Sequence, residues 1–201
     1  DLDPAGEDDF ALVREAAYDR VQLADRVATH RAAAEWYAVL PVSQVLESQA
    51  SHLEQAVTLQ EPDCDLLRRT VEAMVLFARS VEEERTRVAH DTLVRARSLV
   101  EARPDCVTDV LQLDLALASV CFIAGREEES AAAARHAVAL AEERRDLRAT
   151  AEAHLHLGRV VIDADPQRSL AELDRAAAAY AEAGDLGGEA RVEIARGFVR
   201  Q

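Results

Sequence analysis

The sequence contains no lysine, and all 23 of its basic side chains are arginine. A Walker A phosphate loop needs a lysine, and so does an enzyme that forms a Schiff base. Neither kind of site is therefore encoded in these 201 residues. Glycine, proline and aromatic residues are also scarce, whereas nearly half of the chain is hydrophobic. This composition favours long helices packed through small side chains and disfavours a β-sandwich.

Acidic residues outnumber basic ones, since 38 acidic and 23 basic side chains give the chain a net charge of −15. Nucleic acids and anionic membrane surfaces bind basic patches, so we expect neither as a direct partner. No apolar run approaches the ~20 residues that span a bilayer. The sequence begins at Asp1 rather than methionine and shows no signal peptide, so we expect a fragment of a cytoplasmic protein.

Cysteine occurs three times, at Cys64, Cys106 and Cys121. The number is odd and no CxxC pair is present, which argues against a disulfide framework or a zinc knuckle. We therefore expect reduced thiols. Cys121 is predicted to be a small core residue, and the other two are predicted to lie at helix starts in equivalent turns.

Apolar residues are abundant and recur at three- and four-residue spacing, which is typical of helices. About ten helices are predicted, separated by breaks at Pro41, Pro62, Pro104, Gly125, Asp146, Pro166 and Gly184. Aspartates stand near several of these breaks, where they can cap the free N–H groups of a helix start. The predicted caps are Asp63, Asp105, Asp146, Asp165 and Asp185.

A large residue followed by a small one recurs with a period of 40 residues, which indicates internal repeats. The pairs are Tyr37-Ala38, Phe77-Ala78, Leu117-Ala118 and Leu157-Gly158, and a weaker pair is Arg196-Gly197. A second pattern follows in the next helix of each unit, as Ala89, Leu93 and Ala96, then Ser130, Ala134 and Ala137, then Ser169, Leu173 and Ala176. The small residues predict where paired helices approach closely.

This paired-helix unit resembles the tetratricopeptide repeat, and "LHLGRVVIDADPQRSLAELDRAAAAYAEAGD" is its clearest copy. The resemblance implies an all-α, right-handed superhelix, that is, a solenoid of about ten antiparallel helices. Residues 24–62 would form a divergent first hairpin. Repeats would follow at 63–104, 105–145 and 146–184, with a partial or capping repeat at 185–201.

The stretch "FALVREAAYDRVQLADRVATHRAAAEWY" resembles a segment of large bacterial signalling ATPases. These include LuxR-type transcription regulators and predicted ATPases fused to cyclases or kinases. The matching residues are Leu12, Val13, Arg14, Glu15, Tyr18, Arg26, His30 and His52. The resemblance implies that residues 1–23 end a winged-helix module, that ATP binds only to a domain upstream, and that these residues hold no cofactor.

Two histidines stand out in "EAHLHLGRVV", but their spacing argues against a metal site. His154 and His156 are two residues apart, so on a helix they point ~200° apart and cannot hold one ion. Their counterparts in the other repeats share no chemistry, so we interpret both as structural or surface residues. No spacing in the sequence indicates a catalytic or metal site, and the acidic run Glu82–Glu84 is interpreted as a solvated helix end.

The tetratricopeptide resemblance implies that the first helix of each repeat lines a concave face. Its candidate partner- or ligand-binding residues are Glu72, Arg79, Gln112, Ser119, Phe122, Glu152, Arg159, Ile162, Asp163, Arg191 and Phe198. Arginine suits a carboxylate, and phenylalanine can anchor an apolar group. The alternative interpretation is that this face is merely solvated or packs against other domains.

Three classes of function follow from these observations. The first is a non-catalytic module for protein–protein interaction and regulation within a signalling ATPase, whose partner is another protein or its own ATPase domain. The second is a sensor that holds a small-molecule effector in the superhelical groove. The third, an enzyme, lacks a supporting motif. Apolar residues Val13, Ala17 and Trp36 also suggest a homodimer through the N-terminal helices.

Overall fold

A computed structural model describes residues 18–38, 45–60, 63–107 and 109–200. Within these ranges the chain forms nine α-helices and no strand, so the predicted all-helical class is confirmed. The helices are α1 (Leu23–Ala38), α2 (Leu46–Leu59), α3 (Cys64–Val81), α4 (Thr86–Ala102), α5 (Leu111–Ile123), α6 (Glu127–Arg144), α7 (Leu147–Val160), α8 (Pro166–Ala183) and α9 (Leu186–Val199). In this part of the chain, no helix combines the length and apolarity that a membrane crossing requires.

The chain divides into two compact units, residues 1–73 and 74–201, and the boundary falls within α3. In the first unit, α1 packs against α2. Small and branched side chains are buried on these two helices, among them Val27, Ala34, Leu53 and Ala56. Trp36 of α1 takes little part in this core, since it is 59% exposed.

In the second unit, each helix from α4 to α9 packs against the next one along the chain. Helices α5 and α7 also contact each other directly, and so do α7 and α9. The first helices of successive hairpins therefore lie side by side, and they share one face. The core between the helices is built mainly from alanine, leucine and valine, which agrees with the low aromatic content.

The repeated small residues mark close helix contacts, as predicted. A Cβ atom built on Gly158 would lie 2.8 Å from Cγ and Cδ2 of Leu173 and 3.2 Å from the carbonyl oxygen of Ser169. The hydroxyl of Ser169 donates a hydrogen bond to the Gly158 carbonyl at 2.8 Å. One repeat earlier, the Ser130 hydroxyl donates to the Ala118 carbonyl at 2.7 Å. The same backbone-to-hydroxyl contact thus joins α5 to α6 and α7 to α8.

Three hairpin turns of the second unit have the same hydrogen-bonding pattern. Gly125, Arg145 and Gly184 adopt positive φ values of 70°, 56° and 67° after α5, α6 and α8. In each turn the following amide donates to a carbonyl five residues earlier, which closes the helix end. Arg145 is the position where a side chain occupies this left-handed conformation, which is less costly for glycine.

Four of the five predicted aspartate caps are confirmed. The carboxylates of Asp63, Asp146, Asp165 and Asp185 accept hydrogen bonds from the amides of Leu66, Ala149, Arg168 and Gly188. The prediction for Asp105 is wrong because α5 begins only at Leu111, so Asp105 and Cys106 lie in the preceding turn. The carboxylate of Asp109 accepts from the Leu111 amide at that helix start instead.

The prediction of reduced thiols is confirmed for one of the three cysteines. Cys121 is free and buried, as expected of a core residue. Cys64 and Cys106 are disulfide-bonded, which contradicts the expectation of reduced thiols. Predictions that rest on Leu12, Val13, Arg14, Glu15, Ala17, Pro41 and Pro62 lie outside the described residues.

Candidate ligand-binding cleft

A cleft runs along the face that α5, α7 and α9 share. It has two chambers, and both are lined by Leu155, Arg159 and Arg191. The mainly apolar chamber has a volume of about 520 Å³, and its other lining residues are Phe122, Glu127, Val160, Ile162, Asp163, Ile194, Ala195 and Phe198. The polar chamber has a volume of about 410 Å³ and is completed by Glu82, Glu83, Ser119, Ile123, Glu152 and His156.

The structure brings most of the sequence-predicted site residues to this cleft. Eight of them line the two chambers: Ser119, Phe122, Glu152, Arg159, Ile162, Asp163, Arg191 and Phe198. Arg79 lines a smaller adjoining cavity that shares Glu82 and Glu83 with the polar chamber. Gln112 is exposed and lines neither chamber, and Glu72 belongs to the other unit, where it pairs with Arg68.

Arg159 stands at the junction of the two chambers. Its guanidinium carbon lies 4.1 Å from the centre of the Phe122 ring, a cation–π distance. Burial, together with repulsion from Arg191, lowers the pKa of Arg159. The nearby Glu82 raises this pKa in part, so the positive charge of Arg159 is only partly solvated and is partly balanced by a carboxylate.

Arg191 reaches the same junction from α9. Its Nη2 atom donates a hydrogen bond to the Tyr180 hydroxyl at 2.9 Å, and its guanidinium carbon lies 5.4 Å from the Tyr180 ring centre. Tyr180 is buried, and burial raises the pKa of its hydroxyl to about 12. A neutral aromatic side chain thus holds each of the two arginines in place, and among the described residues neither arginine forms an ion pair with a carboxylate.

The polar chamber is also lined by carboxylates. Glu152 forms an ion pair with Arg79 at 3.6 Å. Burial raises the pKa of Glu82, and the neighbouring Glu83 and Glu152 raise it further, whereas Ser119 and Arg79 lower it. Glu82 is half-buried, and its Oε2 atom has no hydrogen-bond partner in the described part of the chain. Glu83 and Glu84 are exposed, as expected of a solvated helix end, whereas Glu82 is half-buried and lines the cleft.

His156 is the functional candidate that the sequence analysis missed. It is 5% exposed, it lines the polar chamber, and its Nδ1 atom lacks a hydrogen-bond partner within the described residues. Burial lowers the pKa of His156 to about 3, and the charges of Arg159, Arg191 and Arg79 contribute. The ring is therefore neutral at pH 7, and its Nδ1 atom is buried without a hydrogen-bond partner among the described residues. Its repeat counterparts, Leu76 and Ala116, gave no signal of this role.

His154 fits the structural interpretation that the sequence analysis assigned to it. Its Nδ1 atom lies 2.8 Å from Oε2 of Glu172, and both side chains are buried. Arg175 pairs with the same carboxylate at 3.0 Å. The histidine and its partners link α7 to α8 and do not line the cleft.

In the first unit, ring and arginine side chains between Tyr18 and His52 form one cluster. The Tyr18 hydroxyl lies 2.8 Å from Nε2 of His30, and Nδ1 of His30 lies 2.9 Å from Nδ1 of His52. Tyr37 stacks on His52, and Arg26 lies over the Tyr18 ring. Burial and the neighbouring His52 lower the pKa of His30. These contacts connect Tyr18, which precedes α1, to His30 of α1 and through it to His52 of α2.

The lining of the cleft combines acidic and basic side chains. Five carboxylates line it together with the guanidinium groups of Arg159 and Arg191, which repel cations. Asp163 and Asp165 do not act together, since Asp163 lines the apolar chamber and Asp165 caps α8. Comparison with known proteins adds no identification, because neither a protein-family model nor a curated protein matches the chain.

Proposed function

We propose that residues 74–201 form a non-catalytic regulatory module that binds an amphipathic organic acid in the cleft. The acid group would lie between Arg159 and Arg191, and the apolar part would fill the chamber walled by Phe122, Ile162 and Phe198. The volume of this chamber, about 520 Å³, is within the range of small-molecule sites. Binding would bias the activity of a larger signalling ATPase, as the sequence resemblance implies.

The observation that carries this proposal is the pair of arginines that lack a carboxylate partner. Elsewhere in the described chain many arginines pair with acids, as Arg175 does with Glu172 and Arg144 with Asp109. Arg159 and Arg191 instead contact the aromatic rings of Phe122 and Tyr180, and neither forms an ion pair with a carboxylate among the described residues. A ligand carboxylate would supply a negative charge that pairs with the guanidinium groups of Arg159 and Arg191.

The test measures binding of decanoate to the whole chain by isothermal titration calorimetry and by thermal shift. We expect decanoate to bind and to raise the Tm, whereas decylamine, which has a similar chain but a positive charge, should not. Arg159→Gln should weaken decanoate binding at least tenfold. Arg148→Gln is the matched control, since Arg148 is on the same helix, α7, but is exposed and outside the cleft. Equal binding of decanoate by both variants would contradict the proposal.

A second candidate function, association with a protein, is favoured by the exposed side of α9. Leu186, Ile194 and Phe198 are 78%, 64% and 61% exposed, and with Ala190 they form an apolar ridge at four-residue spacing. Such a ridge is suited to pack against a helix of a partner protein or of a second copy of this chain. Burying these side chains would remove apolar surface from water.

Leu186→Ser separates the two functions, because Leu186 lies on the ridge but does not line the cleft. We expect this variant to reduce self-association, measured by light scattering over a range of concentrations, and to leave decanoate binding unchanged. Arg159→Gln should instead weaken decanoate binding and leave self-association unchanged. An unchanged scattering profile for Leu186→Ser would argue against α9 as the surface for a second copy.

A further inference from the structure

Three side chains with metal-binding atoms converge at a place in the second unit apart from the cleft. They are His90 of α4, Cys121 of α5 and Glu129 of α6, and their ligand atoms all lie within 4.8 Å of one another. None of the three lines either chamber. The neighbouring helices therefore bring together a nitrogen, a sulfur and an oxygen ligand.

One of these atoms is buried without a partner. His90 is 8% exposed, and its Nε2 atom accepts or donates no hydrogen bond among the described residues. It lies 3.5 Å from Oε2 of Glu129, in a geometry that does not make a hydrogen bond. Cys121 is 1% exposed and is not in a disulfide. A buried, unsatisfied nitrogen is costly, so its position beside a thiol and a carboxylate points to a ligand.

We propose that His90 Nε2, Cys121 Sγ and a Glu129 carboxylate oxygen bind a divalent transition-metal ion of the zinc class. Imidazole, thiolate and carboxylate together match the ligand preferences of Zn²⁺ and Co²⁺. Ligand atoms about 2.1 Å from a tetrahedral ion are about 3.4 Å apart, close to the observed spacing of His90 and Glu129. The Cys121 sulfur would need to approach by about 1 Å at most, and its proton would pass to solvent on binding.

The surroundings supply the outer contacts that metal ligands usually have. The other ring nitrogen of His90, Nδ1, lies 3.5 Å from the Asp91 carboxylate, an arrangement that orients an imidazole ligand. Arg126 contacts both carboxylate oxygens of Glu129, at 3.1 and 3.4 Å, and so holds this side chain beside His90. The ion would compete with Arg126 for Glu129 and would link α4 to the α5–α6 hairpin.

This site has no signature in the sequence, from which we expected no metal. The usual zinc motifs place two ligands a few residues apart, on one turn or one helix face. Here each ligand comes from a different helix, and the packing of α4, α5 and α6 creates the cluster. The inference does not depend on the function of the cleft.

The test titrates the whole chain with Co²⁺ and Zn²⁺ in the absence of reductant, so that Cys64 and Cys106 stay disulfide-bonded. We expect one Co²⁺ per chain, a thiolate-to-cobalt charge-transfer band that Zn²⁺ abolishes, and a higher Tm with Zn²⁺. Cys121→Ala should remove the band. Glu129→Gln, at a side chain that is 55% exposed, should fold normally and weaken Co²⁺ binding at least tenfold. Glu128→Gln is the matched control, because it removes the adjacent exposed acid.

Three results would overturn the proposal. One is the absence of the charge-transfer band in the wild-type protein, and another is its persistence in Cys121→Ala, which would assign the ligand to another cysteine. The third is equal Co²⁺ affinity of Glu129→Gln and Glu128→Gln. Circular dichroism of each variant verifies that the helices are intact, and Glu129→Gln remains decisive if Cys121→Ala fails to fold.

Discussion

At the scale of single residues, burial changes what a side chain can do. His154 and His156 are two positions apart in sequence and are both buried, yet their environments differ. His154 is paired with Glu172, whereas His156 is surrounded by the positive charges of three arginines and has a free Nδ1 atom. The first histidine stabilises a helix pair, and the second belongs to the wall of the cleft.

His156 should make the protein less stable in acid. Its folded-state pKa of about 3 lies below the ordinary value of 6.5, so between these values the unfolded chain binds a proton that the folded chain does not. Stability is therefore fully present above pH 6.5 and is lost as the pH falls toward 3. We expect a loss of roughly 1–2 kcal/mol from this group between pH 7 and pH 5.

Urea unfolding of the wild type and of His156→Gln at pH 7 and pH 5 checks this prediction. Glutamine is similar in size and does not titrate, so the variant should lose less stability than the wild type between the two pH values. The comparison is between the two pH-dependent losses, since His156→Gln can also change the stability at pH 7. Equal losses in both proteins would mean that His156 is not buried as a neutral group.

At the scale of secondary-structure elements, small residues and hydroxyls determine how helices pair. Gly158 and Ala118 occupy the same repeat position, and each accepts a hydrogen bond from a serine of the next helix. The absence of a side chain at Gly158 lets α8 bring Leu173 and Ser169 against the α7 backbone. Aspartate caps and left-handed turn residues then define where each helix begins and ends.

Gly158→Ala should destabilise the α7–α8 pair despite the higher helix propensity of alanine. The new methyl group would lie 2.8 Å from two carbons of Leu173, inside van der Waals contact. We expect the free energy of unfolding to fall by roughly 1–3 kcal/mol, as measured by urea denaturation. Gly197→Ala is the control, since nothing lies within 4 Å of its added carbon, and it should be neutral or stabilise by up to ~1 kcal/mol. Similar shifts in the two variants would refute close packing at Gly158.

At the scale of the whole molecule, both the chain and the lining of the cleft carry more acidic than basic side chains. The chain carries a net charge of −15 and five carboxylates line the cleft, yet within the described part of the chain Arg159 and Arg191 form no ion pair with a carboxylate. At physiological ionic strength, charges more than about 8 Å apart are largely screened. A bound anion would therefore interact mainly with the charges that line the cleft, and it would have to lie beside Arg159 and Arg191 rather than beside the carboxylates.

Much of the fold was predictable from the sequence because it depends on local patterns. Helix breaks at Gly125, Gly184 and Pro166 follow from backbone preferences, and the 40-residue spacing of Leu117-Ala118 and Leu157-Gly158 located the close contacts. The start of α5 was misplaced because Asp105 and Asp109 are both plausible caps, and only the local hydrogen bonds distinguish them. The positions of Arg159 and Arg191 within the repeats also predicted that both side chains lie on the same face, and both line the cleft.

The sequence by itself determined the helical class, the repeat spacing and the absence of lysine chemistry, because these depend on residue types and their order. The tertiary structure alone decided which side chains are dehydrated together. It placed His156 and Glu82 in the cleft wall, set Arg159 and Arg191 against aromatic rings, and assembled His90, Cys121 and Glu129 from three helices. Burial and charge pairing depend on distances between residues far apart in the chain, and helical periodicity does not specify those distances.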